Sequence, residues 1–240
     1  MRIHVGTSGY AYKEWKGIFY PEKISPKGML RFYGEHLDAV EINYTFHHMP
    51  TERVIAPWGE QVPGDFVFAF KAPQVMTHVK KLRSVGEEAE YLFRTLSVLG
   101  GRLGPVLFQF PKFFHANKNL PVLEEFLGLI PENILCAFDF RSSSWLEAGV
   151  ADLLGRHGCG LCLEDTDENP VQEIIGTAPW GYLRLRRAEY AEADLSQWLE
   201  RIRAQGWERV FVFFKHEEDE AGPILGPKLA LRFQELVDQG

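Results

Sequence analysis

Eight charged side chains stand at or just beyond the ends of short apolar runs: Glu41, Lys71, Asp139, Arg141, Glu164, Arg184, Arg186 and Lys215. Carboxylates set among lysines and arginines are the parts of proton-transfer chemistry. The carboxylate moves the proton, and the cation stabilises the negative charge that develops. Glu41, Lys71, Asp139, Arg141 and Glu164 are therefore the expected catalytic set. Around them, hydroxyls, amides, rings and further cations are expected to hold a small polar substrate: Ser8, Tyr10, Trp15, Asn43, Tyr44, His78, Gln109, Trp145, Arg184, Arg186 and Lys215.

Such groups act together only if elements far apart in the chain bring them to one place. Eight strand-like runs recur, over residues 2–8, 39–46, 65–72, 105–110, 134–141, 160–165, 181–187 and 209–216. Between several of them lie stretches with apolar residues three and four apart, over 87–99, 120–130, 144–158 and 194–206, which read as amphipathic helices. Strands joined by helices are parallel, and eight of them in a chain close to the ~250 residues usual for the fold predict an α/β architecture. The expectation is one (β/α)8 barrel, TIM-like and somewhat irregular, formed by residues 1–240.

In a barrel, alternate residues of a strand point inward, and those near its C-terminal end reach the mouth. The segment "DAVEINYTF" (38–46) then places Glu41 and Asn43 inside and packs Val40 and Ile42 outward against helices. Parity pairs Ala69 with Lys71, Gln109 with Pro111, Asp139 with Arg141, Arg184 with Arg186 and Lys215 with Glu217, while Glu164 or Asp165 ends strand six. Charges so placed must be compensated, and Glu41, Asp139 and Glu164 are expected to neutralise Lys71, Arg141, Arg184 and Arg186. A network that merely fills the barrel top is the plainer reading, but apolar filler would do that at lower cost, so a polar pocket is favoured.

With 45% hydrophobic and 25% charged residues, the chain can bury a substantial core. No apolar run approaches the ~18 residues of a membrane helix, and the first residues pass straight into a strand pattern. A cytoplasmic protein without membrane contact is expected. A net charge of -7 disfavours a protein whose overall field wraps nucleic acid.

Five stretches, "GTSGYAYKEWKGIFYP" (6–21), "AVEINYTFHHMP" (39–50), "FVFAFKAPQVMTHVKKL" (66–82), "GPVLFQFP" (104–111) and "FDFRSSSW" (138–145), resemble the domain of unknown function 72 family, also called YecE-like. The resemblance covers nearly the whole chain and implies an irregular TIM barrel, with no settled biochemical activity attached. Two stretches depart from the family pattern. Where members commonly carry Arg-x-His-Gly at strand seven, this chain has "RLRR" (184–187), with Arg186 in the histidine's place; and where they commonly carry Phe-Asn-Asn after strand eight, it has Phe214-Lys215-His216.

Other chemistries find fewer parts. Glu41, Asp139, Glu164 and His216 are candidate metal ligands, but nearby arginines compete for the carboxylates, and no metal is expected. "HGCGLC" (157–162) has zinc-like Cys spacing with no second pair, and enters strand six at the end away from the mouth, so buried thiols are expected. No Gly-x-Ser-x-Gly elbow and no Gly-x-Gly-x-x-Gly after strand one occur, and no organic cofactor is expected. Lys71 could form a Schiff base if desolvated, but adjacent carboxylates favour a protonated, charge-stabilising lysine. His47, His48 and His78 with Lys80 and Lys81 are equally read as a phosphate site or as solvated loop. The function expected is acid-base chemistry on a small polar, anionic or sugar-like molecule. The alternatives are a non-catalytic nucleic-acid or ligand-binding module and a metal-dependent sugar isomerase or endonuclease-like enzyme.

Overall fold

A computed structural model describes residues 1–147, 149–215 and 225–239. Eight parallel strands close in chain order into a barrel. They are β1 (Arg2–Ser8), β2 (Ala39–Ile42), β3 (Val67–Lys71), β4 (Leu103–Gln109), β5 (Cys136–Asp139), β6 (Gly160–Asp165), β7 (Trp180–Leu185) and β8 (Arg209–Phe214). Strands buried on both faces need apolar side chains pointing both ways, which "VFAFK" and "RVFVFF" supply. Inside stand Ala39, Ala69, Ala137 and Cys162 on one side and the bulkier Trp180, Tyr182, Phe211 and Phe213 on the other, so small residues are matched to large ones across the interior. Outside, Phe68, Phe70, Phe108 and Phe138 meet the helical layer.

That layer comprises α1 (Pro26–Gly34), α2 (Tyr44–His47), α3 (Glu52–Gly59), α4 (Gly86–Leu96), α5 (Ala116–Leu127), α6 (Ser144–Glu147), α7 (Val150–Arg156), α8 (Glu192–Arg203) and α9 (Gly226–Gln239). Pro26 opens α1, where its missing N–H costs nothing. The Ala191 N–H donates to Asp194 Oδ2 at 2.8 Å and fixes the start of α8. The helix expected over 144–158 is broken into α6 and α7, with Gly149 left-handed at φ 67° just before α7.

The barrel is irregular between β1 and β2, where side chains replace part of the backbone ladder. The Val5 N–H donates to Asp38 Oδ1 at 2.7 Å, and the Thr7 N–H donates to the Tyr33 hydroxyl at 2.9 Å, which itself donates to the Ala39 carbonyl at 2.9 Å. A Cβ on Gly6 would lie 1.9 Å from that carbonyl oxygen, so only glycine admits this approach. No helix among the described residues is long and apolar enough to cross a membrane.

Strand ends differ from the sequence expectation at several places. β2 stops at Ile42, because Asn43 turns into the right-handed region and Tyr44–His47 coil into α2. β5, β7 and β8 end at Asp139, Leu185 and Phe214, before Arg141, Arg186 and Lys215. His216 and Glu217 lie outside the described residues.

Candidate functional site

The inward parity of seven strands ends in polar residues toward the C-terminal end of the barrel. Register places Ser8 beside Glu41, Gln109 beside Asp139 and Glu164 beside Arg184. Glu41, Asp139 and Arg184 form a buried floor, while Lys71, Gln109, Glu164 and Arg186 are half-buried and Arg141 is exposed at the rim.

Arg184 is the hub. One terminal nitrogen lies 3.0 Å from Glu41 Oε1, and the other lies 2.9 Å from Glu164 Oε1 and 3.8 Å from Asp139 Oδ2. Glu41 also accepts from the Tyr182 hydroxyl at 2.8 Å and from the Asn43 amide at 3.3 Å. Gln109 donates to Asp139 Oδ2 at 2.6 Å. Arg141 reaches Glu164 at 2.8 Å and Asp139 at 3.3 Å, and Arg186 approaches Glu164 at 3.3 Å. The fork of a guanidinium serves several acceptors at once, which is how arginines take all three carboxylates.

Lys71 is left over. Its ammonium sits 4.1 Å above the Phe46 ring and makes no hydrogen bond or ion pair among the described residues. The expected pairing of a carboxylate with this ammonium is absent among the described residues, although Glu41 and Asp139 still favour its protonated form. Burial, then Arg184, lower its pKa to about 8 against the pull of Glu41 and Asp139.

The other groups follow the same forces. Full burial pushes the Glu41 carboxyl up, but Arg184, the Tyr182 hydroxyl, Lys71 and Arg186 hold it below its ordinary value. Burial and the Asp139 charge carry Glu164 above the usual carboxylate range despite its arginines. His78, whose edge meets Phe46, is held low by burial and by Lys71 and Arg141. It rides on a wide turn, Val75–Val79, followed by left-handed Lys81, Leu82 and Ser84.

Four of the remaining expected residues line a cavity or serve packing. Trp15 is fully buried in a ring cluster with Tyr12, Phe19 and Tyr20. Trp145 is equally buried, stacks on Phe140 and donates its indole N–H to the Phe114 carbonyl at 2.6 Å. Tyr10 and Tyr44 line a cavity of about 310 Å3 with Tyr12, Trp58 and Asn43, whose amide donates to Glu41. Lys215 follows β8, half-buried, with its N–H on the Leu185 carbonyl. The loop cations disperse: Lys80 pairs with Glu88, Lys81 lies over Phe113, and His48 stacks on Tyr44. The three thiols are buried and unbridged. Among the described residues no three His, Cys, Asp or Glu side chains gather as a metal-holding group.

The family model described as "Protein of unknown function DUF72" matches residues 4–240. The chain belongs to the DUF72 family. It is 26% identical to UPF0759 protein YecE of Escherichia coli (strain K12) over 172 residues, 70% of this chain and 60% of YecE. Against UPF0759 protein YunF of Bacillus subtilis (strain 168) it is 29% identical over 153 residues, 60% of this chain and 52% of that protein. The chain thus spans about 60% or less of the length of these curated relatives. A crystal structure of a DUF72 protein from Thermotoga maritima superposes with a TM-score of 0.85 at 27% identity, covering 99% of this chain and all 100% of that one. One from Enterococcus faecalis V583, 18% identical, shares the fold at 0.79 over 98% of this chain and 95% of its own.

Sequence reasoning missed one residue of the site. Tyr182 stands two positions before Arg184, so the parity that found the arginine also points to it. Phe46, expected within a strand, is carried beneath Lys71 by the α2 turn.

Proposed function

We propose that the barrel mouth binds a small polar anion, carboxylated or sugar-like, and carries out acid-base chemistry on it. The supporting observation is that, among the described residues, Lys71 has no paired carboxylate while Glu41, Asp139 and Glu164 are each held by arginine. Among the described residues, four cations, Lys71, Arg141, Arg184 and Arg186, face three carboxylates, Glu41, Asp139 and Glu164. The excess favours a ligand that brings negative charge.

Two buried polar atoms at this level, Ser8 Oγ and Arg184 Nε, have no hydrogen-bond partner among the described residues. Leaving such atoms bare costs about 1–3 kcal/mol each, which a polar ligand or water within reach would recover. In this reading Glu41 and Arg184 are the fixed floor, Lys71 and Arg186 hold the anion, and Glu164 transfers the proton. Burial and Asp139 raise the Glu164 pKa from its ordinary value, the direction that favours a carboxyl able to hold a proton.

The test is a calorimetric titration with phosphate, sugar phosphates and small hydroxy and keto acids, comparing the parent with Lys71→Met. At least one anion is expected to bind the parent and to lose about tenfold or more in affinity in the variant, the worth of one charge-assisted hydrogen bond. Unchanged affinity in a variant that still unfolds cooperatively would place the site elsewhere.

A further inference from the structure

We propose that Lys71 is a nucleophile, and that the ligand of the mouth is a small anionic aldehyde or ketone which this amine captures as an imine. The proposal rests on the anion-binding reading above and names its substrate class.

The geometry asks for an amine. An electrostatic anchor needs only a cation, and arginines already supply three of those from β7 and the segments after β5 and β7. Lys71 differs from them in every respect that matters for nucleophilicity. It ends β3 on the inward face, half-buried, and among the described residues its nitrogen is engaged by a ring alone. No carboxylate lies within 4.0 Å of it among the described residues, so no ion pair locks the proton on. Among the described residues, the charges acting on it are, in decreasing effect, Arg184 of β7, Glu41 of β2, Asp139 of β5 and Arg141 beyond β5, with His78 held low in the loop beyond. Burial and the two arginines bring it to about 8, so that roughly a tenth is neutral amine at pH 7, where an ordinary lysine has less than about a thousandth.

The step closes without a further reagent. The neutral Nζ lone pair attacks the carbonyl carbon, and the π pair of the C=O bond moves to oxygen. One amine proton passes to that oxygen, giving the carbinolamine. The C–O bond then breaks, and the hydroxyl leaves as water with the second amine proton, forming C=N. Nothing is oxidised or reduced. When the imine takes up a proton, the Phe46 face 4.1 Å away meets a cation again. Arg186 and Arg141, half-buried and exposed at the rim, are placed to meet the carboxylate or phosphate that marks the substrate as anionic.

The test is reductive trapping of the intact protein with glyoxylate, the smallest anionic aldehyde, and sodium cyanoborohydride near neutral pH. A parallel arm uses neutral acetaldehyde, and peptide mass mapping locates the label. At limiting glyoxylate, Lys71 is expected to be modified at least about tenfold faster than any other lysine, given its larger neutral fraction. Inorganic phosphate should slow that labelling, acetaldehyde should show a smaller preference, and Lys71→Arg should lose the fast site while its unfolding midpoint is kept. Labelling of Lys71 no faster than of surface lysines overturns the imine. If glyoxylate or phosphate still binds in the titration without cyanoborohydride, the anion site survives that failure; if neither binds nor labels, both readings fall.

Discussion

Replacing Lys71 by methionine should make the protein more stable at neutral pH, although it removes a charged group from the centre of the candidate site. A lysine whose pKa falls from 10.5 to about 8 on folding is penalised whenever it is protonated in the folded state. At about 1.36 kcal/mol per tenfold change in acidity, the full penalty is about 3 kcal/mol. Lys71 is half-buried and partly reached by water, so about 1–2 kcal/mol is the expected gain. The lowered pKa fixes the pH dependence. Stability tied to the neutral amine is present above the unfolded value of 10.5, declines as pH falls toward 8, and is absent below it. The variant should therefore lead the parent by a constant margin from pH 6 to 7.5, and the margin should narrow from pH 8 to 10. Methionine keeps the stem's bulk over Phe46, so cavity terms stay small. Urea unfolding of both proteins across that range reads the difference directly. A variant no more stable than the parent at pH 7, or a margin that does not respond to pH, would refute the reasoning that this ammonium is desolvated and uncompensated.

Arg184→Met should act in the opposite direction. It strips the fully buried Glu41 of its cation, and a loss of about 3–5 kcal/mol in urea unfolding is expected, whereas an unchanged midpoint would mean that Arg184 is not the hub. Tyr33→Phe should cost about 1–3 kcal/mol by leaving the Thr7 N–H and the Ala39 carbonyl without their hydroxyl; a neutral result would show that β1 and β2 can re-pair by themselves.

Much of the barrel was readable because parallel strands buried on both faces leave near-continuous apolar runs, and all eight appear within a few residues of their expected bounds. Parity along those strands also placed Glu41, Lys71, Gln109, Asp139 and Arg184 on the inner face. Local periodicity was silent on other matters. α1 is only nine residues long and contains Gly28, and α3 carries Pro57, so neither announces itself by propensity. Trp15 and Trp145 follow strands β1 and β5 closely, yet both turn into aromatic clusters, since a large ring near a mouth gains as much from packing as from a ligand. The partnering of charges was the hardest part to read. Composition and spacing show that cations and carboxylates meet, but the reach of the Arg184 fork decides that, among the described residues, Lys71 has no carboxylate within ion-pair distance.

The central claim is that this cation-rich barrel end is a binding site and not a filled cap. Titrating a small anion into the parent and into Lys71→Met tests it most directly. The account predicts saturable binding to the parent that weakens about tenfold or more in a variant which is itself more stable. Equal binding by both proteins, or none by either across phosphates and small carboxylates, would contradict it.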